Sequence, residues 1–180
     1  DDFLASGLRT GDGSPAFHTG PLKILTDGSL GGRTALLREE YSDMPGESGV
    51  AIYGAEELND LVFAAHEAGM QIAMHAIGDG ALDLCLDALE KALEANPAAD
   101  ARHYIVHCQT GDTDQYRRMA RLGVGAAIQP LFATSDRLMA IKRLGRKRAG
   151  AGYAWRTLMD LGIFMSAGPD CPVETLNPFA

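Results

Sequence analysis

The stretch from residue 55 to residue 97, AEELNDLVFAAHEAGMQIAMHAIGDGALDLCLDALEKALEANP, decides the fold. A short apolar run, Gln71–Met74, predicts a β-strand between two segments whose apolar residues recur at helical spacing. Gly69 ends the first helical segment and Asn96-Pro97 ends the second. The two apolar stripes consist of Leu58, Leu61, Val62 and Ala65, and of Leu82, Cys85, Leu86, Leu89 and Leu93. The order helix, strand, helix is typical of parallel α/β folds.

The same alternation continues on both sides of this stretch. Further strands are predicted at Leu22–Leu25, Tyr104–Val106, Gly123–Ile128 and Ile163–Ser166, and further helices over 112–121, 136–147 and 153–161. Residues 1–21 are rich in Gly, Ser, Pro and Asp and predict a loop that leads into the first strand. Repeated strand–helix units require parallel strands with right-handed crossovers. Five strands do not close an eight-stranded barrel, so the pattern predicts either an open sheet or part of a larger barrel.

Composition limits the classes of function. The chain has 180 residues, is 46% hydrophobic and carries a formal net charge of −8, which fits a single globular domain that repels nucleic acid. It contains no apolar run long enough to span a membrane, so we expect no membrane partner. The 3 cysteines show no C-x-x-C spacing, which indicates reduced thiols and a cytoplasmic protein.

Four polar residues lie at or just beyond the C-terminal ends of predicted strands: Lys23, His75, His107 and Asp170. In a parallel α/β barrel, the side chains at that rim converge on one site. Two imidazoles, an amine and a carboxylate are suitable groups to hold a divalent metal and to activate water. The spacing therefore predicts a hydrolytic metal site.

Lys23 leaves several interpretations open, because a lysine inside an apolar strand is unusual. It can be an edge lysine whose ammonium reaches solvent and discourages strand pairing. It can also be a desolvated amine, acting either as a Schiff-base nucleophile or as a carboxylated ligand that bridges metal ions.

Loop residues near the same strand ends are candidates for binding substrate. Asp27 and Arg33 lie on the glycine-rich turn after the first strand, and Arg33 is suited to clamping a carboxylate or carbonyl. Gln109 and Gln129 follow strand ends and can donate hydrogen bonds to a substrate. Asp79 is expected to cap the helix after His75, with a role in orienting a ligand as the alternative.

Four segments together resemble the amidohydrolase superfamily, specifically the amidohydrolase-3 branch that includes N-substituted formamide deformylases. They are Leu22–Ala35 (LKILTDGSLGGRTA), His75–Asp79 (HAIGD), 102–109 (RHYIVHCQ) and Asp170–Val173 (DCPV). The resemblance extends from about residue 22 to the end of the chain.

The resemblance implies a partial TIM barrel, comprising strands four to eight with their helices. It implies that Lys23, often carboxylated in relatives, and His75 and His107 bind a divalent metal, for which zinc is expected. Asp170 would be the general base that helps water to attack a small, non-peptide amide-type substrate at its C–N bond.

One departure from the family limits this expectation. The first-strand H-x-H pair of the family occurs nowhere in the sequence, so we expect these 180 residues to lack part of the metal site. Two alternatives therefore stay open: a non-catalytic, truncated α/β module that self-associates into a homo-oligomer, and a Schiff-base barrel enzyme that uses Lys23.

Overall fold

The structure, a computed structural model, describes residues 2–177, which form seven strands and seven helices. The strands are β1 (Gly13–Ser14), β2 (Phe17–His18), β3 (Leu22–Leu25), β4 (Ile72–Ala76), β5 (Tyr104–His107), β6 (Gly125–Ile128) and β7 (Met165–Ala167). The helices are α1 (Asp2–Ala5), α2 (Ala55–Glu67), α3 (Asp79–Ala95), α4 (Thr113–Leu122), α5 (Phe132–Ser135), α6 (Arg137–Ala151) and α7 (Trp155–Asp160).

The main sheet has five parallel strands in the order β3-β4-β5-β6-β7, which is also their order along the chain. Each step to the next strand passes through at least one helix. The register places Leu25 beside His75 and His75 beside Val106. Sequential order with helical crossovers is the arrangement of a (β/α) barrel wall, as the sequence predicts.

Several predicted boundaries are wrong by one or two residues, and the differences affect the site. β4 runs to Ala76, so His75 lies inside the strand and not after it. β5 includes His107 as its last residue. β7 begins at Met165, later than predicted. The predicted lead-in loop contains α1 and a two-stranded antiparallel sheet, β1-β2, whose strands of 2 residues each are too short to show a periodic pattern in the sequence.

The two faces of the sheet differ in burial because side chains alternate along a strand. Buried apolar residues of β3, β4, β5 and β6 pack with α2, α3 and α4 into one core; examples are Ile24, Met74, Ile105 and Ala126. On the opposite face the side chains of Lys23 and Leu25 are exposed. The core therefore lies between the sheet and the helices, and the other face is available to a site.

The segment between β3 and α2 forms a second apolar cluster at the C-terminal end of the sheet. Leu30, Leu37 and Tyr41 pack there with Ile77 and Leu144, and the Tyr41 hydroxyl donates to the carbonyl of Ala35 at 2.6 Å. This long loop, residues 26–54, is thus packed against the strand ends and forms one side of that end of the sheet. Among the described residues, no helix has the length and apolarity needed to cross a membrane.

Candidate active site

His75 and His107 lie side by side at the C-terminal ends of the adjacent strands β4 and β5. Their ring centroids are 4.5 Å apart, and the rings meet edge to face at 76°. The predicted convergence of these two side chains is thereby observed, although their role as ligands stays a prediction.

The backbone at His107 explains how its ring reaches His75. Ile105 faces the helices, so a regular strand would direct His107 to the same side. His107 has φ = 75°, in the left-handed region, and this rotates its side chain away from the alternating pattern. Asp170 and Arg33 also have positive φ, at 55° and 56°. Such conformations in non-glycine residues cost free energy and concentrate at functional sites.

Hydrogen bonds fix the tautomer of His75. Its Nε2 lies 3.0 Å from the carbonyl oxygen of Gly28 and 3.3 Å from Oδ1 of Asp27. Both oxygens can only accept, so Nε2 must carry the proton and donate. In the neutral ring, Nδ1 is then left with an unprotonated lone pair, which is the form that binds a metal.

His107 shows the complementary arrangement. Its Nδ1 lies 2.8 Å from Oε1 of Gln129, whose Nε2 donates to the carbonyl of Ala127 at 3.3 Å. Nδ1 is therefore the donor, and the lone pair is on Nε2. Burial and, to a smaller extent, the neighbouring His75 lower the pKa of His107 to about 4, so the ring is neutral at pH 7. Gln129, expected from the sequence to contact substrate, instead orients His107.

Asp27 organises the strand ends and does not face a substrate. Its side chain is 0% exposed. Oδ2 accepts hydrogen bonds from the amides of Leu36 and Gly78 at 3.0 and 2.8 Å, and Oδ1 accepts one from Ile77 at 3.1 Å. With its oxygens committed to the backbone and to His75, the carboxylate positions a histidine instead of binding substrate. This corrects the sequence-based role of Asp27.

Asp79 does not take that positioning role. Its Oδ1 accepts hydrogen bonds from the amides of Arg38 and Gly80, at 3.0 and 3.1 Å. The N-cap residue of α3 is Gly78, which has no side-chain cap. The expectation that Asp79 caps the helix is therefore wrong in detail, because Asp79 is the first residue of the helix itself.

Lys23 lies on one edge strand of the main sheet, β3, and Asp170 follows the other, β7. Lys23 is the second residue of β3, beside Ala73, so it lies two residues below the level of His75 and not at the strand end. Partial burial lowers the pKa of Lys23, and the Asp170 carboxylate opposes that shift. Both groups also act electrostatically on His107. Lys23, His107 and Asp170 thus interact electrostatically.

Two predicted substrate-binding residues are already engaged by protein partners. Arg33 is bound by Asp43 through Nε at 3.2 Å and Nη2 at 2.9 Å, so its guanidinium braces the long loop and is not free to clamp a substrate. Gln109 is 2% exposed. Its Nε2 donates to Oδ2 of Asp136 and to the hydroxyl of Tyr153, at 2.9 and 2.8 Å.

The donor set of this site fits part of a metal site. The lone pairs on Nδ1 of His75 and Nε2 of His107 are suitable for a divalent cation. Within residues 2–177, however, no three His, Cys, Asp or Glu side chains come together in a way that could hold a metal ion. The two histidines therefore form an incomplete ligand set within this part of the chain.

Comparison with known proteins identifies the family of the chain. The family model described as "Amidohydrolase family" matches residues 1–180, and the chain belongs to that family. It is 41% identical over 165 residues to YtcJ of Bacillus subtilis (strain 168), a protein assigned to the amidohydrolases. The matched residues cover 91% of this chain and 30% of YtcJ. It is also 29% identical over 131 residues to the N-substituted formamide deformylase of Arthrobacter pascens, covering 72% of this chain and 24% of that enzyme.

A solved structure supports the same conclusion. The crystal structure of an uncharacterized metal-dependent hydrolase from Pyrococcus furiosus matches with a TM-score of 0.87 at 34% identity, covering 99% of this chain and 36% of that chain. The five parallel strands and their helices are therefore part of an amidohydrolase-type barrel, as predicted. The chain spans between 24% and 36% of the length of these relatives.

Proposed function

We propose that the protein is a metal-dependent amidohydrolase that cleaves the C–N bond of a small, non-peptide amide-type substrate. The observation that carries this proposal is the pair of adjacent strand-end histidines, each with one ring nitrogen donating to the protein and the other left with a lone pair. Membership of the amidohydrolase family and the likeness to a metal-dependent hydrolase support it. The name of the formamide deformylase relative suggests the type of bond.

His75 Nδ1 and His107 Nε2 would hold a divalent metal, with zinc as our expectation, and the remaining ligands would come from outside this set. When bound, such a metal polarises a carbonyl and makes a water molecule more acidic. Lys23 would join the ligands if carbon dioxide carboxylates its amine, a reaction that needs the uncharged amine. The lowered pKa of Lys23 favours that form.

The protein side chains then have distinct tasks. Asp27 and Gln129 hold the two imidazoles in the tautomers described above. Asp170, which follows β7 and acts on both Lys23 and His107, takes a proton from the attacking water at its carboxylate. It passes that proton to the departing nitrogen as the C–N bond breaks.

Turnover of small amides tests this function. The natural protein that carries this sequence is incubated with N-substituted formamides and other small amides, and release of the amine is measured. We expect hydrolysis, and a loss of about 10²–10⁴-fold in kcat for Asp170→Asn, the usual contribution of acid–base catalysis. Asp160→Asn, an exposed acid of α7, is the matched control and should retain activity. Equal rates in both variants would exclude Asp170 as the base.

A Schiff-base reaction at Lys23 is a second candidate, because partial burial lowers the pKa of that amine. Reduction with borohydride in the presence of an aldehyde or ketone would trap a covalent adduct on Lys23 if the amine is the nucleophile. Mass spectrometry without such an adduct removes this candidate.

Self-association is the remaining proposal for the chain. β3 and β7 are the edge strands of the main sheet, and the apolar side chains of Leu25 and Phe164 near them are 51% and 47% exposed. Unpaired strand edges favour association with another copy. Analytical ultracentrifugation showing one monomeric species at all concentrations would contradict it.

A further inference from the structure

A small cleft lies at the C-terminal ends of β4 and β5, next to Phe132. It has a volume of about 210 Å³, and its walls include Ile77, Gln109, Phe132, Asp136, Val173 and Glu174. Phe132 also stacks on the ring of His107, with centroids 6.1 Å apart and planes 11° apart. The amide of Val173 donates to the carbonyl of Asp170 at 2.9 Å. The cleft therefore shares walls with the candidate active site.

Two carboxylates, those of Asp136 and Glu174, line the cleft. Oδ2 of Asp136 accepts hydrogen bonds from Gln109 and from the Tyr153 hydroxyl at 2.9 and 3.0 Å, while no described donor occupies Oδ1. Glu174 is close enough that its charge raises the pKa of Asp136, in addition to the larger effect of burial. Neither carboxylate forms an ion pair with any residue between 2 and 177.

Gln109 supplies an independent observation. It is 2% exposed, and its buried Oε1 has no hydrogen-bond partner among the described residues. The amide cannot be reversed to satisfy that oxygen, because Oε1 would then face the carboxylate of Asp136. A buried carbonyl without a donor costs free energy, so its retention at the cleft wall points to a ligand that donates a hydrogen bond there.

We propose that this cleft binds an ammonium group on an apolar part of the substrate. The inference rests on the proposed function and specifies its substrate class: a small amide that carries an amine. Asp136 and Glu174 provide the negative charge, Gln109 Oε1 accepts from the ammonium, and Phe132, Ile77 and Val173 contact the attached carbon atoms. The amide carbon of the same molecule then reaches His75 and His107, on the other side of Phe132.

Binding of simple probes tests the cleft without requiring turnover. The natural protein is titrated at pH 7 with n-butylammonium and with butyrate, its anionic counterpart, and binding is followed by ligand-observed NMR. We expect butylammonium to bind and butyrate not to bind. Asp136→Asn should weaken butylammonium about tenfold, which corresponds to about 1.4 kcal/mol. Asp160→Asn removes the same charge far from the cleft and should leave the affinity unchanged.

Glu174→Gln gives the same comparison if Asp136→Asn fails to fold, because Glu174 lies on a peripheral loop and is only partly buried. Equal binding of the cation and the anion, or equal affinity in the cleft and control variants, overturns the proposal.

A turnover experiment separates the cleft assignment from the proposed function by comparing an amide that carries an ammonium group with its methyl isostere. If butylammonium binds but neither amide is hydrolysed, the proposed function fails and the cleft assignment stands.

Discussion

The role of Asp27 predicts a large loss of stability on replacement by asparagine. The Asn carbonyl can replace Oδ2 and accept from the amides of Leu36 and Gly78, but its NH2 group then faces the N–H groups of Ile77 and His75. One buried backbone donor is left unpaired, which costs about 1–3 kcal/mol, and bonds to a charged acceptor are replaced by weaker neutral ones. We expect Asp27→Asn to lower the free energy of unfolding by about 3 kcal/mol.

Urea unfolding followed by circular dichroism measures this change. With a slope of about 2 kcal/mol per M, the expected loss moves the midpoint by about 1.5 M. Asp112→Asn is the matched control: Asp112 caps α4, asparagine caps helices equally well, and only the partly exposed ion pair with Arg38 is lost. That ion pair contributes about 0–1 kcal/mol. Equal midpoints for the Asp27 and Asp112 variants would refute the assignment of Asp27 as the organiser of the strand ends.

Three further predictions concern stability. Gly78→Ala would place a Cβ 1.8 Å from the carbonyl oxygen of Leu36 and should lower the free energy of unfolding in urea by about 3 kcal/mol. Gly54 is another N-cap residue with extended backbone and has open space around it, so the control Gly54→Ala should lower that free energy by less than about 1 kcal/mol. Burial lowers the pKa of His103 to about 4 from 6.5. The free energy of unfolding should therefore not depend on this group above pH 6.5 and should fall by about 3 kcal/mol towards pH 4. Urea midpoints measured across that pH range should fall less steeply in His103→Gln than in the natural protein. Asp112→Ala removes a capping box and should lower the thermal midpoint by the equivalent of about 1–2 kcal/mol; an unchanged midpoint would contradict it.

Periodicity was sufficient to predict the helices and strands that form the barrel wall. The apolar stripes around Leu58 and Leu86 are buried in the core between the helices and the sheet, because an amphipathic helix turns its apolar face away from water. Strand ends were less certain. Hydrogen bonds to neighbouring strands decide whether residues such as His75 and His107 belong to the strand, and those partners are distant in sequence.

The site was predictable where the chemistry follows strand order and unpredictable where it depends on long-range contacts. The closeness of His75 and His107 was predictable because each follows an apolar run, and parallel strands bring such positions together. The contact of Asp27 with His75 joins residues 48 positions apart by way of the β3-β4 pairing, so local spacing could not reveal it. The engagement of Arg33 by Asp43 was missed because a loop sequence without regular periodicity does not reveal its internal ion pairs.

Metal content tests the central claim most directly. The natural protein, His75→Ala, His107→Ala and the control His18→Ala, an exposed residue of β2, are purified in parallel, and bound metal per chain is measured by mass spectrometry. We predict that His75→Ala and His107→Ala lose most of the metal that the natural protein and His18→Ala retain. The same metal content in all four proteins would contradict the account.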